Sequence, residues 1–200
     1  MGSPIAVVAK SAIAAASAHV ALSLTCIANG ALTTWGTGFE ESKPTSPCNI
    51  DASGWRVASE IVDEMYSGKG ITRPSCLSKD CVFSDPVAIC CGREELTEAF
   101  RALKILSPKM LMPAELFRVD PLDENITRYT AKLNQQYSTK LKLKSLLIVD
   151  MKETAGHDPV IVRFEERWNG RPLLDHFPFK LVRRINGALS FLLTPMLVQD

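Results

Sequence analysis

Apolar residues recur every three to four positions in the first part of the chain and every two positions later, with the change near Met112. Trp55, Ala58, Ile61, Val62, Met65 and Tyr66 make one face, and Arg56, Glu60, Asp63 and Glu64 the other, which predicts a helix over 53–67. Gly68 and Gly70 stop it. Cys81, Phe83, Asp85, Val87 and Ile89 then alternate as one face of a strand, with a bend or edge position at Asp85-Pro86. A second helix is predicted over 93–106, with Leu96, Ala99, Phe100 and Leu103 inward and Pro108 and Pro113 beyond its end.

The later part reads as long strands. A short one over 115–119 is closed by turn-forming residues at 120–125. Tyr129, Ala131, Leu133, Gln135 and Tyr137 alternate against Arg128, Thr130, Lys132 and Asn134. Leu141, Leu143, Ser145, Leu147, Val149 and Met151 alternate with Lys140, Lys142 and Lys144. Leu146 and Ile148 nevertheless make the far end apolar on both faces. A cover is expected there, either a partner subunit or the amino-terminal segment. Val160, Val162, Phe164, Glu166 and Trp168 alternate with Ile161, Arg163, Glu165 and Arg167. Asn169-Gly170 predicts a hairpin turn, and 172–179 a last short strand. Leu181, Val182, Ile185, Leu189, Leu192 and Leu193 then predict a carboxy-terminal helix, interrupted at Asn186-Gly187, ended near Thr194-Pro195, and too short to span a bilayer. It is suited to docking on the domain or lying at a membrane surface, with Lys180, Arg183 and Arg184 near headgroups.

The amino terminus has another character. Up to Phe39 there is no acidic residue and one lysine, Lys10, ahead of an uncharged run of Ala, Val, Leu and Ile over 11–29. Residues 1–35 read as an apolar targeting or membrane-anchor segment, 36–51 as a linker, and 52–200 as one folded domain with its C-terminal helix. An inserted anchor makes the protein membrane-associated, for instance at the endoplasmic reticulum. A cleaved peptide makes it organelle-targeted, although the segment lacks the arginine of transit peptides, and an extra helix packed on the domain is the plain reading.

Composition narrows the functions. A net charge of +1 supplies no field for phosphate backbones, so nucleic acid is not an expected partner. Six cysteines show no C-x-x-C pair and no histidine at ligand spacing, so no metal site is expected. They read as packed thiols, with a Cys76 to Cys81 bridge open in an oxidising compartment. No phosphate loop or Ser-His-Asp spacing is present, and no cofactor is expected.

Helix, strand, helix and then a run of antiparallel strands is an α+β order. On 81–86, on Gly92 with the helix containing Ala99-Phe100, and on the late hairpin 162–172, the chain resembles the nuclear transport factor 2-like superfamily, in its SnoaL-like branch, over roughly 52–180. The resemblance implies a cone-shaped, strongly curved antiparallel sheet with helices on its concave side, an apolar cavity and, often, a homodimer. It includes polyketide cyclases, ketosteroid isomerases, dehydratases, epoxide hydrolases and non-catalytic modules, so it implies no particular reaction.

Two acids lie on faces that are otherwise apolar, Asp85 and Glu166. In a dry cone, desolvation raises both pKa values and suits either for general acid or base work. Two plainer readings stand beside this one: Asp85 accepting backbone N–H bonds at the bend, and Glu166 at a wet strand end or paired with Arg163 or Arg167. Tyr66, Phe83, Tyr129, Leu133, Phe164, Trp168 and His176 are the candidate ligand contacts. The expected function is binding of a lipophilic small molecule, with cofactor-free isomerisation or cyclisation. The alternative is a non-catalytic, membrane-associated accessory protein that assists membrane enzymes such as oxidases of specialised lipophilic metabolism.

Overall fold

The computed structural model describes residues 53–138, 142–173 and 175–198. The segments 1–35 and 36–51 lie outside the described residues. Helix α1 (Ser53–Tyr66) buries Ala58, Ile61, Val62, Met65 and Tyr66, the face its periodicity predicts. The glycines that follow, Gly68 and Gly70, both have φ +74, a conformation that L side chains disfavour. Strands β1 (Leu77–Ser84) and β2 (Ile89–Cys91) form a hairpin, followed by helix α2 (Arg93–Leu103), which buries Leu96 and Phe100. At its start, Glu95 accepts the Cys91 N–H at 2.8 Å, so a side chain from the first turn meets the entering backbone. Strands β3 (Lys109–Met110), β4 (Glu115–Pro121), β5 (Ile126–Gln136), β6 (Lys142–Lys152) and β7 (Val160–Trp168) follow, then helix α3 (Phe179–Leu197).

The strands form one curved, unclosed sheet in the order β2-β1-β7-β6-β5-β3, with β4 also paired to β5. The α+β class expected from the order of elements and the cone implied by the resemblance are the observed architecture. Its ladders are antiparallel except β1 with β7, which run parallel and align Phe83 with Phe164. Since β5 and β7 are each antiparallel to β6, the C-terminal ends of β1, β5 and β7 meet at one end of the sheet, with the start of β6. The concave face carries Leu77, Cys81, Phe83, Leu133, Leu147, Val149, Met151, Ile161 and Phe164, packed against α1 and α2.

Three local expectations are corrected. The alternation of β7 does not run unbroken, because the register slips between Asp150–Arg163 and Met151–Ile161. This bulge makes Ile161 fully buried, whereas Val160 and Val162 are only half-buried. Residues 171–173 and 175–178 form no strand: Asn169 and Gly170 turn the chain with φ 53 and 73, and a loop leads into α3. Finally, α3 passes through Asn186-Gly187 without interruption and holds Pro195 inside its last turn. Gly187 is there for proximity. A Cβ on it would lie 2.1 Å from the Ile89 carbonyl oxygen.

The outer face of the sheet also carries ion pairs. Arg128 pairs with both oxygens of Asp150 at 2.6 and 2.8 Å, and Arg163 and Arg167 both pair with Glu165. Ile148 is buried, at 7% exposure.

Candidate functional site

The sheet end at which β1, β5 and β7 terminate collects the polar groups of an otherwise apolar interior. Glu166 lies on the concave face of β7, opposite Leu147, and is 2% exposed. The Tyr66 hydroxyl, at the last residue of α1, donates to Glu166 Oε2 at 2.6 Å. Gln135, near the end of β5 and fully buried, donates from Nε2 to Oε1 at 3.0 Å. Tyr137 in turn donates to Gln135 Oε1 at 2.8 Å. Ser145 Oγ and Trp168 Nε1 complete the surroundings of the carboxylate. Both are buried atoms without a hydrogen bond of good geometry, yet each lies close enough to favour the ionised acid.

Asp85 follows directly on β1, and its Oδ1 accepts the N–H of Val87 at 2.7 Å and of Ala88 at 2.6 Å. A backbone bond from Asp85 N to Ala88 O at 3.0 Å closes the same turn. These are the N–H bonds anticipated at the bend before Pro86. Strand β1 therefore ends one residue before the acid, and Asp85 is half-buried at the end of the sheet where β1 stops. Among the described residues its Oδ2 receives no hydrogen bond.

The electrostatics follow from burial. Desolvation raises the Glu166 carboxyl above the ordinary glutamate value, against the opposing pull of Ser145, Tyr66, Gln135 and Trp168. Desolvation, then the nearby Glu166 charge, lifts Asp85 to about 7, although the Ala88 and Val87 N–H groups and Arg183 oppose the rise. Tyr66 and Tyr137 are pushed upward by burial and by the Glu166 charge, so both remain phenols and donors.

The remaining candidates fall into three groups. Phe83, Leu133 and Phe164 are buried in the concave core, where the Phe100 ring meets Phe83 and Tyr66 edge-on at 5.0 and 5.6 Å. Trp168 is half-buried beside Glu166. Tyr129 is buried, but its hydroxyl donates to Glu153 at 2.8 Å; it lies six residues before Gln135 on β5, about 20 Å away. His176 is exposed in the loop before α3, edge-on to Phe179. Arg163 and Arg167, considered as partners of Glu166, point to the other face and pair with Glu165.

Gln135 and Ser145 belong to the site although neither was a candidate. The available signal was the one used for Glu166, a polar side chain at an inward position of an alternating strand. Arg183 was read as a headgroup contact, and is instead buried at 2% exposure against the Asp85 turn. Among the described residues no group of three or more His, Cys, Asp and Glu side chains is placed to hold a metal ion, and no helix is long and apolar enough to cross a membrane.

No protein family model and no curated protein matches the sequence. Solved structures do. The ketosteroid isomerase-like protein from Erwinia carotovora atroseptica superposes with a TM-score of 0.50 at 11% identity, over 57% of this chain and 92% of that one. A scytalone dehydratase-like protein from Novosphingobium aromaticivorans gives 0.46 at 13% identity, over 57% and 80%. An NTF-2 like protein of unknown function from Shewanella oneidensis MR-1 gives 0.45 at 8% identity, over 57% and 95%. With the strand order and the helices on the concave side, the first of these shows that the domain has the nuclear transport factor 2-like fold.

Proposed function

We propose that the domain binds a lipophilic small molecule at the polar end of the cone and exchanges a proton with it, without a cofactor. The observation that carries this reading is the Glu166 carboxylate, buried among apolar side chains with Tyr66 on one oxygen and Gln135 on the other, and Asp85 facing it. Each group suits a step of isomerisation, cyclisation or dehydration. Asp85 is the proton carrier: its Oδ1 is pinned by two N–H groups, its Oδ2 is available, and its pKa near 7 serves both directions of transfer at neutral pH. Gln135, whose amide has a second N–H beyond the one given to Glu166, supplies a neutral donor for an oxygen on which charge develops, while Tyr66 and Tyr137 hold Glu166 and Gln135 in place. Buried Phe83, Leu133 and Phe164 make the surroundings apolar, which keeps the carboxylates poorly solvated and suits a lipophilic ligand. The isomerase-like name of the superposed Erwinia protein agrees with this class of chemistry.

Native mass spectrometry of the full-length protein, incubated with a lipid and terpenoid extract of its source, tests the reading. A small molecule retained by the wild type and lost in folded Glu166→Gln or Asp85→Asn variants supports it. No retained molecule under any condition, with membrane enzymes captured instead, rejects it in favour of an accessory role and leaves the Glu166 network as a device that holds α1 to the sheet.

A further inference from the structure

Helix α3 meets the β1–β2 turn with polar groups. Arg183 Nε donates to the Asp85 carbonyl at 2.7 Å, Asn186 Nδ2 to the Val87 carbonyl at 2.9 Å, and Arg184 Nη1 to the Ile89 carbonyl at 3.3 Å. Three alternate carbonyls of one short turn are thus held from a single helix, and Gly187 lets its backbone approach Ile89. Arg183 also donates to the Ser84 hydroxyl and to Asp175 at 2.9 Å, while Arg184 is held by both oxygens of Glu95 at 2.7 and 2.9 Å.

A guanidinium that is 2% exposed loses most of its hydration, which costs several kcal/mol unless its donors are well placed. Merely covering the hairpin would need only apolar side chains. Here the guanidinium, beside its pairing with Asp175, also holds the backbone that aims Asp85. We propose that Arg183 and Asn186 are positioning residues for Asp85: from the C-terminal helix they hold the carbonyls of Asp85 and Val87, and so keep the turn closed with its carboxylate beside Glu166.

The groups that interact electrostatically with Asp85 include Glu166 from β7, Tyr66 from α1, Tyr137 after β5, Cys90 from β2 and Arg183 from α3. Of these, Arg183 is the cation, and it opposes the rise that burial and Glu166 impose. Asn186 carries no charge and reaches the turn through its hydrogen bond to the Val87 carbonyl. The two residues therefore separate charge from position. The catalytic meaning of the inference rests on the proposed acid–base role of Asp85, but its test needs no ligand.

Carboxyl-carbon NMR titration of Asp85 and amide hydrogen exchange at Val87 and Ala88 are followed in the full-length wild type, Arg183→Gln, Arg183→Lys and Asn186→Ala. Arg183→Gln should move the Asp85 midpoint to higher pH, and Arg183→Lys should bring it back toward the wild type. Asn186→Ala should speed exchange at Val87 and Ala88 about tenfold, as expected for a loosened hydrogen-bonded turn, and leave β5 and β6 protected. Wild-type exchange at the turn in folded Asn186→Ala overturns the proposal. So does an equal rise across β5 and β6, the signature of a helix that only stabilises. If Arg183→Gln does not fold, Asn186→Ala decides. Should these shifts occur while no ligand is ever retained, the positioning of Asp85 stands and the acid–base reading fails.

Discussion

Tyr66 and Glu166 lie 100 residues apart in the chain and share a buried hydrogen bond of 2.6 Å. It joins the last residue of α1 to the concave face of β7, so the helix end and the sheet end are held in one register. Because Glu166 is 2% exposed, every donor on it matters more than it would in water.

Replacing Tyr66 by Phe removes that donor and leaves the carboxylate under-satisfied. The variant should lose about 1–3 kcal/mol in urea unfolding. A double-mutant cycle with Glu166→Gln should return a coupling of about 1–2 kcal/mol. A coupling near zero would mean that the two side chains act independently.

The Asp85 carboxyl, held up to about 7 against 3.8 for a free side chain, makes stability depend on pH with a definite sign. Between these values folded Asp85 retains a proton that the unfolded chain has released. Its stabilising contribution is therefore full below about pH 4 and is lost as pH rises toward 7. Measured as wild type minus Asp85→Asn, unfolding free energy should fall by on the order of 2 kcal/mol from pH 4.5 to 8, the partial exposure of the residue being allowed for. Parallel curves would contradict the raised value.

Gly187→Ala reverses the usual sign of that substitution. In an open helix alanine gains about 1 kcal/mol over glycine. Here the new Cβ would sit 2.1 Å from Ile89 O and 2.7 Å from Ile89 C, backbone atoms that move only if α3 moves. A loss of about 2 kcal/mol or more is expected in chemical denaturation.

On the outer face, Arg128→Ala strands Asp150, which is 5% exposed, and should cost about 1–3 kcal/mol. The double replacement Arg128→Met with Asp150→Leu should recover most of it, because the penalty comes from the unpaired charge. Thermal unfolding of the three proteins checks the order.

Much of this was legible in the chain itself. The buried faces of α1 and α2, the inward set of β5, and Ser145, Leu147, Val149 and Met151 on β6 follow from periods of 3.6 and 2, which depend only on neighbours in sequence. Glu166 stood out for the same reason, as an acid in an apolar register. The order of helices and strands then led to an α+β class, and the resemblance to the cone.

What periodicity does not reach is anything set between segments. The bulge that turns Ile161 inward depends on the register of β6 against β7, and the end of β1 before Asp85 depends on its pairing with β2. Gly187 looks like a helix breaker until Ile89 is placed against it, and Arg183 looks like a surface cation until the Asp85 turn is placed under it. By itself, then, the sequence determined which side chains face inward where an element's repeat runs unbroken, as in α1, β5 and β6. Only the tertiary structure decided that Tyr66, Gln135, Asp85 and Glu166 share one sheet end, because that depends on the parallel pairing of β1 with β7 and on long-range register, and neither leaves a local mark.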